Sequence, residues 1–311
     1  MDTTQKIIPH LWFDKEAREA ADFYTSLFPE SKVTNLTVLH DTPSGDCDIV
    51  DFELWNQKFT AISAGPLFKF NPAVSFMVNF DPLLFGDAST RDKEAREKID
   101  QVWNKLADGG TVLMPIDKYP FSERFGWVQD KYGLSWQLIL TDPEGEPRPS
   151  IIPCLMFVGS KAGKAEEAIN YYVSVFKNST TSAMFRYGAD HQGEKEGTIM
   201  FADFMIEHTW FAANDSAGPH DFDFNESVSF IVNCDDQREI DYYWQKLSAV
   251  PESEQCGWLK DKYGVSWQIT PSDMAEMMSK GTQEQIDRVT QAFLPMKKLD
   301  IATLRKAYEG K

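Results

Sequence analysis

The chain has 311 residues, a formal net charge of −17, 42% hydrophobic residues and four cysteines. This apolar content excludes wholesale disorder, and the Gly, Pro and Cys counts exclude collagen-like and disulfide-scaffold proteins. The balance of 31 basic against 48 acidic side chains argues against a partner that is nucleic acid or an anionic membrane, because both need clustered Lys and Arg. No secretory signal and no run of 18 apolar residues is visible, so we expect a reduced, cytoplasmic protein.

Hydrophobic periodicity predicts two βαβββ modules in the first half of the chain. The first module contains a strand, an amphipathic helix that ends before Pro29, and three strands, at 7–13, 15–28, 33–40, 48–55 and 58–64. The second module contains a strand, a helix and three strands, at 74–80, 90–107, 111–114, 126–130 and 134–140.

The second half of the chain repeats the first. Residues 126–138 (GWVQDKYGLSWQL) and 257–269 (GWLKDKYGVSWQI) are identical at nine of thirteen positions, and further matches follow in the same order. We therefore divide the chain into a first unit (1–141), a linker rich in Pro, Gly and charge (142–150), a second unit (151–270) and a tail (271–311). The second unit has a shorter hairpin region, since 44 residues at 82–125 correspond to only 21 at 236–256.

The tail has no counterpart in the first unit. Residues 282–294 and 299–309 carry apolar side chains at helical spacing, among them Ile286, Val289 and Phe293. An apolar stripe normally packs on a core, so we expect one or two helices packed on the second unit.

Several motifs show a resemblance to a known superfamily: Ile8-Pro9-His10-Leu11-Trp12-Phe13, Ala20-Ala21-Asp22-Phe23-Tyr24, Gly65-Pro66 and the repeated Asp-Lys-Tyr-Gly-x-Ser-Trp-Gln. With these motifs the chain resembles the vicinal oxygen chelate superfamily, and within it the PhnB-like group, often labelled 3-demethylubiquinone methyltransferase. The resemblance implies an α+β fold of two tandem units, each made of paired βαβββ modules that form a curved mixed sheet. Whether modules pair within a unit or across units stays open, as does the choice between a monomer that mimics a dimer and a homodimer.

The methyltransferase label finds no support in the sequence. A Rossmann-type S-adenosylmethionine site needs a Gly-rich turn between a strand and a helix, and the only adjacent glycines, Gly109 and Gly110, form no such turn. No nucleotide or flavin motif is visible either.

The resemblance also implies four strand positions that hold a divalent metal in the superfamily. The first unit places His10, Glu53, Ala73 and Gln137 there, and the second unit places Cys154, Met205, Ser227 and Gln268. Catalytic metal sites use three or more His or carboxylate ligands, so both sets are degenerate. One divalent metal in the first unit would rest on His10, Glu53 and Gln137, with Glu53 as the catalytic carboxylate. Alternatively, His10 is a buried core histidine and Glu53 points to water.

The tryptophans favour a pocket for an unidentified small molecule. By strand alternation, Trp12 and Trp55 share a face with His10 and Glu53, and Gln137 and Gln268 can anchor a ligand through hydrogen bonds. Trp136 and Trp267 are expected in the core. Two functions follow: a metal-independent binding protein with an aromatic concave pocket, or a glyoxalase-type metal-dependent lyase, isomerase or transferase acting in the first unit. The sequence leaves open whether the protein is an enzyme.

Overall fold

The structure is a computed structural model that describes residues 5–191 and 193–311. Residues 1–4 and 192, which the sequence assigns to the two units, lie outside the described residues. Within these ranges the chain forms fifteen strands and seven α-helices. None of these helices has both the length and the apolar character that a membrane crossing requires.

The first unit has the predicted order of elements. Its first module comprises β1 (Ile7–Phe13), α1 (Ala17–Thr25), β2 (Lys32–Thr42), β3 (Gly45–Leu54) and β4 (Gln57–Ser63). Its second module comprises β5 (Val74–Phe80), α2 (Arg91–Ala107), β6 (Thr111–Tyr119), β7 (Ser122–Gln129) and β8 (Ser135–Leu140). Helix α1 forms because Ala17, Ala20, Ala21 and Tyr24 make one buried stripe at helical spacing.

The second unit repeats this order with one strand fewer. Its first module comprises β9 (Ile151–Phe157), α3 (Ala165–Val175), β10 (Thr180–Arg186), β11 (Ile199–Ile206) and β12 (Thr209–Asp215). Its second module comprises β13 (Val228–Cys234), α4 (Gln237–Leu247), β14 (Trp258–Lys260) and β15 (Ser266–Pro271). The tail adds α5 (Ser272–Lys280), α6 (Gln283–Phe293) and α7 (Ile301–Glu309), of which only α6 and α7 were predicted.

The modules pair across the units, which answers the question that the sequence left open. The seven-stranded sheet has the order β14-β15-β13-β1-β4-β3-β2, and the eight-stranded sheet has the order β10-β11-β12-β9-β5-β8-β7-β6. Strand β1 runs antiparallel to β13, and β9 runs antiparallel to β5. Each sheet therefore contains one module from each unit.

The main hydrophobic core lies between the two sheets. Helices α1 to α4 contribute to it, and side chains from both sheets meet in it, as Phe59 meets Phe76 with ring centroids 5.2 Å apart. Phe211 and Phe230 make the equivalent contact at 5.0 Å. Each sheet thus has one face toward this core and a second face turned away from it, which we call its distal face.

The repeated Asp-Lys-Tyr-Gly turn is built around a buried carboxylate. Asp130 accepts hydrogen bonds from the Tyr24 hydroxyl at 2.7 Å and from the Trp136 indole at 2.9 Å, and two backbone N–H groups of its own turn complete the set. Asp261 has the equivalent four partners in the second unit, including Tyr172 and Trp267. Burial raises the pKa of both carboxyl groups. Trp136 and Trp267 are therefore core residues, as predicted.

The tail packs on the distal face of the seven-stranded sheet. Side chains of α6 and α7, such as Val289 and Leu304, join Trp12, Ile49 and Ile62 of the sheet in one cluster. Helices α5 and α6 contact β2, where the Thr37 hydroxyl donates to the Met278 carbonyl at 3.2 Å. The tail therefore lies on a sheet that both units share and contacts strands of the first unit as well as the second.

Cross-unit pairing predicts that cleavage in the linker leaves the two halves together. A protease site inserted after the exposed Gly145 separates the units covalently, while β1–β13 and β5–β9 still join them through two sheets. After cleavage the fragments should co-elute in size-exclusion chromatography at the position of the intact chain. Two separately eluting, folded fragments would contradict the sheet assignment.

Candidate functional site

His10 lies at the centre of the distal face of the seven-stranded sheet. It pairs with Ser229 on β13 and with Thr60 on β4, and its ring meets Trp258 edge-on at 5.3 Å. The residue is 4% exposed, and its Nδ1 has no hydrogen-bond partner among the described residues. Burial lowers the pKa of His10 to about 3, so the imidazole is neutral at physiological pH.

Glu53 does not lie level with His10. The β3 residue level with His10 is Asp51, which pairs with Thr60. The Thr60 hydroxyl donates a hydrogen bond to the Asp51 carboxylate at 2.7 Å. Glu53 lies two residue pairs further along β3, and β3 is two strands from β1, about 10 Å across the sheet. Its carboxylate faces the Lys32 ammonium at 3.4 Å. The Glu53 side chain therefore belongs to a partly exposed ion pair.

Gln137 lies in the other sheet, where its Nε2 donates to Ser75 Oγ at 2.7 Å. The three predicted metal ligands His10, Glu53 and Gln137 therefore do not meet. Beside His10 the sheet offers Ser229 and Gln268, with Gln268 Nε2 donating to Ser229 Oγ at 3.0 Å.

The residues at His10 do not fit a divalent metal. Zinc and iron need several imidazole, thiolate or carboxylate atoms within about 2.3 Å of one point. Among the described residues no group of three or more His, Cys, Asp and Glu side chains is close enough to hold an ion. The strand register also corrects two predicted positions. Ser229, and not Ser227, pairs with His10. Ser75, and not Ala73, pairs with Cys154.

The two predicted pocket tryptophans lie in different places. Trp12 is on the distal face, where it meets Trp258 at 6.1 Å and Phe68 at 5.1 Å and is covered by the tail. Trp55 is in the main core between Phe28 and Phe80. The alternation argument fails at Trp55 because the strand has already ended, and its φ of +46° places it in the β3–β4 turn.

The distal face of the eight-stranded sheet carries a row of apolar side chains with a tryptophan at each end. The pairings Ile152–Met77, Met77–Gln137 and Gln137–Trp127 place these side chains in one line, and Trp210 lies beyond Ile152 on β12. We call these five residues the tryptophan row. Ile152 and Met77 are buried at its floor, while Gln137 and both tryptophans are partly exposed.

Cys154 lies beside the tryptophan row at the position of His10. It is 2% exposed, and burial raises the pKa of its thiol to about 12. Its sulfur donates to Asn214 Oδ1 at 3.8 Å. A thiol with this pKa is protonated at neutral pH and is a poor nucleophile.

A cleft of about 700 Å³ opens next to this face. Its walls are the loops before β5 and β13, together with Leu113 and Gln129 of the hairpin β6–β7. These loops contribute both aromatic and charged side chains: Phe70, Phe222, Phe224, Lys69, Asp221 and Asp223. Gln129 pairs with Ser135, two residue pairs from the Trp127–Gln137 pair of the tryptophan row. The cleft therefore borders the distal face at the end where β5 and β8 begin.

The sequence did not single out Trp210, Met77 or Trp127 as ligand contacts. A signal was available in the repeat. The cross-strand pair Glu53–Lys58 of the first unit corresponds to Met205–Trp210 in the second, so the same register position is charged in one unit and apolar in the other. A loss of charge at a partly exposed pair is typical of a binding surface.

Replacing His10 with Gln should change how stability depends on pH. An unfolded histidine titrates near pH 6.5, whereas folded His10 stays neutral down to about pH 3. As pH falls below 6.5 the unfolded chain gains a proton that the folded chain excludes, so wild type should lose about 1.4 kcal/mol per pH unit relative to H10Q. Urea unfolding between pH 7 and pH 4.5 measures this difference.

The exposed His191 provides the matched control, H191Q, for the substitution itself. Parallel pH profiles for wild type and H10Q would contradict a buried, neutral imidazole.

Comparisons with known proteins agree with this architecture. The family model described as 3-demethylubiquinone-9 3-methyltransferase matches residues 5–139 and again residues 149–270. A Bacillus cereus protein, described as a putative 3-demethylubiquinone-9 3-methyltransferase and PhnB protein, is 37% identical; the match covers 44% of this chain and 100% of that one, with a TM-score of 0.37. No curated protein matches the chain.

A more distant structure, a glyoxalase I, shares the fold over both units. Glyoxalase I from Zea mays is 12% identical, and the match covers 87% of this chain and 93% of that one with a TM-score of 0.50. A putative dioxygenase from Bacillus subtilis is 13% identical over 89% of this chain and 88% of its own, with a TM-score of 0.45. The chain therefore belongs to the 3-demethylubiquinone-9 3-methyltransferase family, of which the PhnB-like proteins are part, and carries two tandem units of the vicinal oxygen chelate fold.

Proposed function

We propose that the protein binds a small molecule on the distal face of the eight-stranded sheet and needs no metal to do so. One observation carries this proposal. The two distal faces are equivalent by the internal repeat, but the hydrophobic cluster on the seven-stranded sheet includes the tail helices, whereas the cluster on the eight-stranded sheet consists only of strand side chains. Within the described residues no helix packs on the apolar cluster of this second face.

The chemistry of this face suits a ligand. Aromatic walls with a few convergent polar groups are what a small-molecule site requires. Trp127 and Trp210 supply the walls, Met77 supplies an adaptable floor, and Gln137 supplies a polar group in the middle of the row. The cleft of about 700 Å³ that borders the face is within the size range of ligand sites.

Binding is a better account of these residues than metal or methyl chemistry. The carboxylate level with His10 is that of Asp51, on the second strand from it, and this carboxylate already accepts a hydrogen bond from Thr60. In the described residues both sheets are mixed, and the doubly wound parallel sheet of a Rossmann-type methyl donor site does not occur. The family description names a methyltransferase, but the fold hosts many chemistries and the residues decide between them.

A charge on the open face should weaken the binding of an apolar probe. Nile red is an uncharged dye whose emission rises in apolar surroundings. Ile139 lies on the open face, so I139E would put a carboxylate against the bound dye; an unpaired polar group there costs about 1–3 kcal/mol, which corresponds to a loss of about tenfold in affinity. Dye titration of the full chain measures the effect.

The matched control is T270E, because Thr270 is the equivalent residue on the seven-stranded sheet. This variant should bind the dye within twofold of wild type. Equal losses in both variants, or no loss in either, would overturn the proposed location.

A further inference from the structure

We infer that the ligand of this face is an uncharged aromatic molecule that donates one hydrogen bond, such as a neutral phenol, to Gln137. The inference rests on the proposed function and deepens it. It follows from the charges that the face lacks and from the hydrogen-bonding groups that it leaves free.

By alternation, the five central strands present one charged side chain to the distal face, Glu123 at the outer end of β7, and Lys118 neutralises it at 2.6 Å. The other side chains of β12, β9, β5, β8 and β7 that point this way are uncharged: the tryptophan row with Ala212, Asn214, Cys154, Met156, Ser75, Asn79, Ser135, Ile139, Phe125 and Gln129. A charged ligand buried here would lose its hydration without gaining an ionic partner, which is strongly unfavourable. The face therefore selects neutral molecules.

The repeat strengthens this conclusion. In the first unit the corresponding edge of the sheet carries Glu53 opposite Lys58, with Lys32 also at the Glu53 carboxylate. In the second unit Met205 and Trp210 occupy this register position. The same backbone geometry carries a charged pair in the first unit. The absence of charge at this position in the second unit therefore follows from its side chains and not from the fold.

An ion pair also reaches the other end of the face, and it too is already neutralised. Arg148 of the linker donates from Nε to Asp203 at 2.7 Å, and its guanidinium lies 4.0 Å from the centroid of the Trp210 ring. Both side chains are largely buried, and Arg148 also donates to the Ser182 hydroxyl. Arg148 therefore closes the Trp210 end of the row and offers no free cation to an anionic ligand.

Two hydrogen-bond donors at the Trp127 end of the row have partners within the protein. The Trp127 indole N–H donates to Ser135 Oγ at 2.8 Å, and Gln137 Nε2 donates to Ser75 Oγ. Gln137 is partly exposed, and no described residue donates a hydrogen bond to its carbonyl oxygen, Oε1. A bound molecule would therefore be recognised by donating a hydrogen bond to this oxygen, while its rings contact Trp127 and Met77 on either side of Gln137.

Three related probes test the charge and the donor separately at pH 7. They are 2-naphthol, which is neutral and has a hydroxyl; naphthalene-2-carboxylate, which is anionic; and naphthalene, which has neither group. Isothermal titration of the full chain should show 2-naphthol binding at least tenfold more tightly than the carboxylate and about fivefold more tightly than naphthalene.

Two variants locate the effect. Q137L should weaken 2-naphthol about fivefold and leave naphthalene unchanged, whereas Q268L, at the mirrored Gln268–Ser229 bond, should change neither. The double variant M205E/W210K rebuilds the charged pair of the first unit at a position where the fold already accepts it, and it should weaken both neutral probes.

The outcomes distinguish this inference from the function on which it rests. Equal or tighter binding of the carboxylate, or equal effects of Q137L and Q268L, would overturn the ligand class while the Nile red result still stands. Failure of all three probes to bind would overturn the ligand class, and an unchanged Nile red titration for I139E would in addition overturn the proposed site.

Discussion

The pairing of β1 with β13 and of β9 with β5 is the constraint on which the rest of the structure depends. In an isolated unit, the first strand of each module would have one unpaired edge. The other unit pairs with both of these edges. The duplicated chain thereby forms within one molecule the sheets that two separate copies would form together. It also follows that neither distal face belongs to one unit. His10 from the first unit faces Ser229 from the second, and Cys154 from the second unit faces Ser75 from the first.

Duplication allowed the two distal faces to diverge while the core between them stayed alike. The buried carboxylates Asp130 and Asp261 keep the same four hydrogen bonds in both units, since losing one would leave a buried polar group unsatisfied. The distal faces are under no such constraint. One keeps a buried histidine and a charged edge and is packed by the tail; the other has replaced the charged edge with Met205 and Trp210. We place ligand binding on the second face for this reason.

Much of the fold could be predicted from the sequence, and much less of the site. Hydrophobic periodicity and the internal repeat correctly predicted the modules and the core position of Trp136 and Trp267, because the local pattern of apolar residues indicates which side of a helix or strand is buried. Module pairing could not be read from the sequence, since it depends on contacts between residues far apart in the chain. That pairing separates Gln137 from His10, and the turn at Trp55 breaks the alternation that had placed this residue on the distal face. The helix α5 was also missed, because its apolar stripe is short.

A crystal structure of the full chain with bound 2-naphthol tests the central claim most directly. The account predicts the naphthyl ring over Met77 and beside Trp127, with its hydroxyl within hydrogen-bond distance of Gln137 Oε1. A ring bound beside Trp258 and Gln268 on the seven-stranded sheet, or a metal ion held by His10, would contradict it.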